Sequence, residues 1–135
     1  MADWWQWSQK REKEALTFAV VGVGRFGTAV CRELISNGAD VLAADYSEKA
    51  IDDLRQLEPS IEARVVDCTD EESMKESGIL EMNTVVVGIS EPIEASITTT
   101  LIAKDSEGSK VKRVIARATS DLHEKMLKRV GADKV

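Results

Sequence analysis

Gly22-Val23-Gly24-Arg25-Phe26-Gly27 is the stretch of this chain whose residue types and spacing could do chemistry, and that chemistry is the binding of an anion. An apolar run, Phe18-Ala19-Val20-Val21, leads into it, and a helical pattern opens at Arg25. Each glycine has a physical task in such a turn. Gly22 lets the chain leave a strand sharply, Gly24 leaves the backbone open to phosphate oxygens, and Gly27 lets the helix lie close on a sheet. The helix N-terminus then offers free N–H groups and the positive end of a dipole. A second apolar run, Val41-Leu42-Ala43-Ala44, ends in Asp45, 18 residues after Gly27. An acid at that spacing accepts hydrogen bonds from ribose hydroxyls and repels a 2′-phosphate. Together these features predict a site for an adenine nucleotide or dinucleotide with an unmodified ribose, so NAD is favoured over NADP.

Further candidates flank that site. Val23, Arg25 and Phe26 lie inside the loop, where Arg25 could reach a phosphate of its own or a neighbouring subunit. Tyr46 and Ser47 follow Asp45 directly. Asp67-Cys68-Thr69 ends the third apolar run, facing where an adenine would lie. Ile89 and Ser90 follow the fourth run, and Arg117 follows the fifth, where a phosphate or intersubunit role is open to it. His123 falls in the last helical pattern and reads as a surface or interface residue. The pattern contains no nucleophile–base pair and no metal cluster, so no catalytic or metal-binding residue is expected.

The elements that must position these residues alternate strand and helix. The first helix runs from about Arg25 to Asn37, with Phe26, Val30 and Leu34 on one face and Gly38 beyond its end. Ser47 is placed to cap a second helix carrying Ile51, Leu54 and Leu57, with Pro59 just past it. Val65-Val66 reads as a third strand, and Thr69-Asp70-Glu71-Glu72 as a capping box opening a short helix to about Ser77. Thr84-Val85-Val86-Val87 is a fourth strand. A helix from Pro92 to Asp105 follows, with Pro92 in its first turn and Ile93, Ile97 and Leu101 on its apolar face. Val111 to Ala116 reads as a fifth strand, and a last helix from Ser120 to Val130 aligns Leu122, Met126 and Val130. A sixth strand is expected to begin at Lys134-Val135. Uninterrupted apolar strands between helices predict an α/β fold: a Rossmann-like, doubly wound parallel sheet in a single domain over residues 15–135.

Bulk properties narrow the classes. At 135 residues and 43% apolar content the chain suits one globular domain. A net charge of −6, with both signs interspersed, argues against a nucleic-acid partner. Cys31 and Cys68 stand alone in sequence and read as small buried hydrophobes of a reducing compartment. No run approaches the roughly 20 apolar residues that span a bilayer, and no signal peptide is expected. Residues 1–14 form a distinct arm with Trp4, Trp5 and Trp7, open to reading as a frayed linker or an interaction segment.

Phe18 through Gly27 resembles the RCK (KTN) domain, found in cytosolic regulators of potassium channels and of Ktr/Trk potassium-uptake systems. Arg25-Phe26-Gly27 is similar to the Ktr-type version of that loop. Glu33-Leu34 to Gly38, Val41 to Asp45, Glu94-Ala95-Ser96 to Thr100 and Leu127 to Asp133 resemble its first helix, second strand, fourth helix and last helix with following turn. The resemblance covers about Thr17 to Val135. It implies a regulatory ligand, ATP/ADP or NAD/NADH, held by Gly22, Gly24, Gly27 and Asp45, with Arg25 reaching a neighbour's phosphates. It implies a homodimer, an octameric ring in the intact protein, and a membrane potassium-translocating subunit as partner at the inner face of the cell membrane. The chain stops where the family continues into a crossover helix and a second ligand-binding lobe, so it reads as truncated at its C-terminal end. Two other readings stay open: the NAD-binding half of a small dehydrogenase, and a Rossmann scaffold used only for protein contacts.

Overall fold

The computed structural model describes residues 17–135; the tryptophan-rich arm lies outside the described residues. Five strands and five helices alternate as β1 (Thr17–Val21), α1 (Arg25–Ser36), β2 (Asp40–Asp45), α2 (Glu48–Leu57), β3 (Glu62–Val65), α3 (Glu71–Ser77), β4 (Thr84–Val87), α4 (Ile93–Asp105), β5 (Arg113–Ala116) and α5 (Asp121–Arg129), with a 3-10 turn at Ile79–Glu81 after α3. The strands pair in the order β3-β2-β1-β4-β5, all parallel. Val21 pairs with both Ala44 and Val87, so the carboxyl ends of the three central strands finish level. The chain winds outward from β1 in one direction through β2 and β3, then returns to β4 on the other side. The switch point therefore falls between β1 and β4, where ligands of open α/β sheets bind.

Uninterrupted apolar strands fit this sheet because both faces are covered. Ala19, Val21, Leu42, Ala44, Val85 and Val87 pack on one face with residues of α3, α4 and α5, including Met74, Ile102 and Leu127. Val20, Ala43 and Val86 point the other way, against Cys31 of α1 and Ile51 and Leu54 of α2. Three helices start on side-chain caps: the Ser47 hydroxyl accepts from Ala50 N–H, Asp70 from Ser73 N–H, and Ser120 from His123 N–H. No helix among the described residues is long and apolar enough to cross a membrane.

Several sequence expectations are corrected. The third strand is Glu62–Val65 rather than Val65-Val66. It is an edge strand with only Ala63 buried, so it carries no apolar run to betray it. The fifth strand starts at Arg113, not Val111, because the backbone N–H groups of Lys110 and Lys112 are drawn to the Leu80 and Asn83 carbonyls first. Pro92 is the N-cap residue of α4 instead of a first-turn residue. Part of the apolar stripes of α4 and α5 points outward, although Ile97 packs half-buried against the core. Leu101, Leu122 and Met126 are exposed, while α4 buries Ser96, Thr99, Thr100, Ile102 and Ala103, and α5 buries His123 and Leu127. The expected sixth strand is present as one parallel bridge, Ile115 to Lys134, with Ala116 N–H donating to the Lys134 carbonyl at 2.9 Å.

Asp133 fastens that C-terminal turn to the sheet. Its carboxylate accepts from Val114 N–H at 2.7 Å and from Lys104 Nζ at 3.0 Å. Partial burial pushes the carboxyl up, but the Val114 N–H and the Lys104 ammonium outweigh it and hold it below its ordinary 3.8. A carboxyl depressed by folding stabilises the fold fully above its unfolded value and loses that contribution as pH falls through the folded value. Asp133→Asn is expected to cost about 1 kcal/mol or less at neutral pH, since the pair is solvent-screened. Chemical denaturation from neutral pH down to about pH 2 should show the two curves converging below the ordinary carboxylate range.

Candidate functional site

The loop between β1 and α1 is shaped by backbone contacts. Gly22 has φ +90°, a conformation that side chains resist. Its N–H donates to the Ala44 carbonyl at 2.8 Å, which holds the turn against β2. The Gly22 carbonyl then points into a slot between two other glycines. A Cβ on Gly27 would fall far inside contact distance of that oxygen, and a Cβ on Gly88 would lie 2.8 Å from it. Gly27 thus lets α1 approach the sheet, as its spacing implies. Gly88 completes the slot from the end of β4, and its N–H donates to the Val21 carbonyl at 2.7 Å. Sequence reading missed Gly88, since a lone glycine after a strand carries no signal of its partner.

Asp45 joins the loop to β2. One carboxylate oxygen accepts from Val23 N–H and the other from Ser47 N–H, both at 2.8 Å. Each oxygen has a further lone pair, so the carboxylate can still accept from a hydroxyl. Val23 is buried and fixed by that bond; Ser47 is turned to capping α2. Gly24 is the N-cap residue of α1, with no side-chain cap bond and no acid in the first turn. A Cβ on Gly24 would meet no protein atom within 4 Å, so packing does not require glycine there.

A cavity of about 520 Å³ opens at this carboxyl edge of the sheet. It is lined by Gly22 and Gly24 of the glycine loop, by Asp45 and Tyr46, by Asp67-Cys68-Thr69, and by Gly88, Ile89 and Ser90. Glu91, Pro92 and Ala95, at the entrance to α4, complete the wall and were not expected from sequence. The remaining candidates lie off this wall. Arg25 is exposed on the first turn of α1. The Arg117 guanidinium sits over the Phe26 ring, 5.1 Å from its centre, an attractive cation–π geometry that ties the β5–α5 loop to the glycine loop.

Two site expectations are corrected. Thr69 does not cap α3; the Asp70 side chain does, and the Thr69 N–H and hydroxyl both donate to Asp67 Oδ1, at 3.1 and 2.7 Å. That turn holds the Asp67 carboxyl below its usual range. His123 is no surface residue: it is 1% exposed and hydrogen-bonded on both ring nitrogens. Helical spacing put it on the same element as an apolar stripe, and the stripe, not the histidine, faces solvent.

A parallel sheet with a glycine turn, an uncapped helix and an acid gathered at its switch point defines the Rossmann class of nucleotide-binding folds. Residues 18–135 match the model of the TrkA-N domain, and the chain belongs to that family. It is 38% identical over 118 residues to Ktr system potassium uptake protein C of Bacillus subtilis (strain 168), an alignment covering 87% of this chain and 51% of the relative. The chain thus spans about half the length of the curated relatives it matches. Among solved structures, the TrkA-N domain of inner membrane protein ybaL from Escherichia coli superposes with a TM-score of 0.76 at 21% identity, over 89% of this chain and 85% of that one. The GsuK channel bound to NAD superposes with a TM-score of 0.75 at 14% identity, over 88% and 21%, and GsuK has also been solved bound to ADP.

Two outcomes follow from the site's packing. Gly27→Ala should destabilise the chain by more than about 2 kcal/mol in denaturant titration, because the clash is with backbone that cannot rotate away. Burial pushes the Cys31 and Cys68 thiols up to about 12, so neither holds the reactive thiolate at neutral pH. Labelling with a thiol reagent should be slow in the native chain and rapid in denaturant; fast native labelling of Cys68 would contradict the described cavity wall.

Proposed function

We propose that this chain is the nucleotide-sensing domain of a potassium uptake system, acting from the cytoplasm on a membrane potassium-translocating partner. The observation that carries this reading is the Asp45 carboxylate beside the uncapped N-terminus of α1, both lining the cavity. ATP/ADP or NAD/NADH would lie there with phosphates over Gly22 and Gly24 and the adenosine ribose on Asp45. Asp67-Cys68-Thr69, Ile89 and Ser90 would flank the base, and Arg25 would reach a neighbouring subunit's phosphates. The family, and a relative named for potassium uptake, supply the biological setting. The exposed Leu101, Leu122 and Met126 support assembly into a homodimer or a larger ring, because side chains of that size gain by leaving water. The ligand acts by favouring one conformation over another, so its differential affinity sets how far the equilibrium moves and no bond is broken.

Thermal unfolding in the presence of ATP, ADP, NAD, NADH and NADPH tests this directly. A ligand at 100 times its Kd should add about 2.7 kcal/mol of stability. Stabilisation by one of the unmodified pairs, little by NADPH, and loss of the effect in Asp45→Ala is the expected result. No stabilisation by any of the five would sink the reading and leave a scaffold role in its place.

A further inference from the structure

We infer that His123 is a positioning residue for the nucleotide cavity, through a buried hydrogen bond to α4. The inference rests on the nucleotide-binding reading above. Nδ1 accepts from the Thr119 N–H at 3.0 Å, so that nitrogen carries no proton. Nε2 is then the protonated nitrogen of a neutral ring and donates to the Ser96 hydroxyl at 2.6 Å. Ser96 passes its own proton on to the Ile93 carbonyl at 2.8 Å. Each hydrogen in this chain has one direction, and Ser96 and His123 are both buried.

The contact lies where it can act on the cavity. Ser96 directly follows Ala95, which lines the wall, and Ile93 begins the same helix beside Pro92. Three residues further along α4, the Thr99 hydroxyl donates to the carbonyl of Cys68, on another side of the cavity, at 2.9 Å. On its far side His123 holds Thr119, two residues after the Arg117 that sits on Phe26 of the glycine loop. The polar inner face of α4 thus fixes the helix that walls the cavity, and His123 sets its distance from the β5–α5 loop.

Calorimetric titration of the whole chain with NAD tests the assignment. Ser96→Ala removes the link while leaving the imidazole in its packing, and Ser96→Thr keeps the hydroxyl that accepts from Nε2. Ser96→Ala, folded by circular dichroism, is expected to bind about fivefold more weakly, the worth of one hydrogen bond, and Ser96→Thr to bind as the unsubstituted chain does. Unchanged affinity in Ser96→Ala, or an equal loss in Ser96→Thr, would overturn the positioning role and leave nucleotide binding standing. Failure of the unsubstituted chain to bind NAD, ADP or ATP would overturn both.

Discussion

The close approach of the Gly22 carbonyl to Gly27 and Gly88 is the contact on which this structure depends. It brings the end of β1, the first turn of α1 and the end of β4 to one point, with no side chain between them. A single added methyl group at Gly27 would force α1 away from the sheet. The helix N-terminus would then no longer sit over the crevice between β1 and β4, and Val23 would leave the reach of Asp45. The steric slot and the anion-binding geometry are therefore one feature, since the peptide that fills the slot also aims the helix dipole.

Asp45 serves the scaffold and the candidate site at once. Its two hydrogen bonds to Val23 and Ser47 are charge-assisted and set the loop before any ligand arrives. Such preorganisation lowers the ordering cost of binding. It also means that removing the carboxylate frees two backbone N–H groups as well as removing the proposed ribose acceptor. A conservative change to asparagine keeps one acceptor, so comparing the two substitutions separates the carboxylate's structural share from its recognition of the ligand.

The sheet and the glycine loop were legible because their signals are local. Phe18 to Val21, Val41 to Ala44 and Val85 to Val87 are apolar without interruption, as strands covered on both faces must be. The loop's spacing to Asp45 encodes a turn, a helix and a strand of fixed lengths. β3 was misplaced because an edge strand needs few buried residues, and Glu62 and Arg64 gave no pattern. The wall residues Gly88, Glu91, Pro92 and Ala95 were missed because they come together only through the β1–β4 pairing, which joins positions more than 60 residues apart. His123 was misread for a related reason. Its partners lie on α4 and in the preceding loop, and nothing in the sequence around it shows that Ser96 will arrive opposite.

The inversion of α4 and α5 has one physical logic. Periodicity assigns Ile97, Leu101, Leu122 and Met126 to the core because hydrophobic burial usually dominates helix orientation. Here Ile102 and Leu127 supply the buried apolar contacts, and the other inward positions are serine, threonine, alanine and histidine, small or hydrogen-bonding groups that let α4 lie close to the sheet and to α5. Fully burying a leucine is worth roughly 1.5–3 kcal/mol, so leaving Leu122 in water forgoes a gain of that order. The buried polar side chains recover part of it by satisfying one another, and none of their described polar atoms is left without a partner. A core of directed hydrogen bonds differs from an apolar one in that it fixes orientation as well as proximity. The two helices are thereby held in a defined relation at the edge of the cavity, with Leu101, Leu122 and Met126 facing outward.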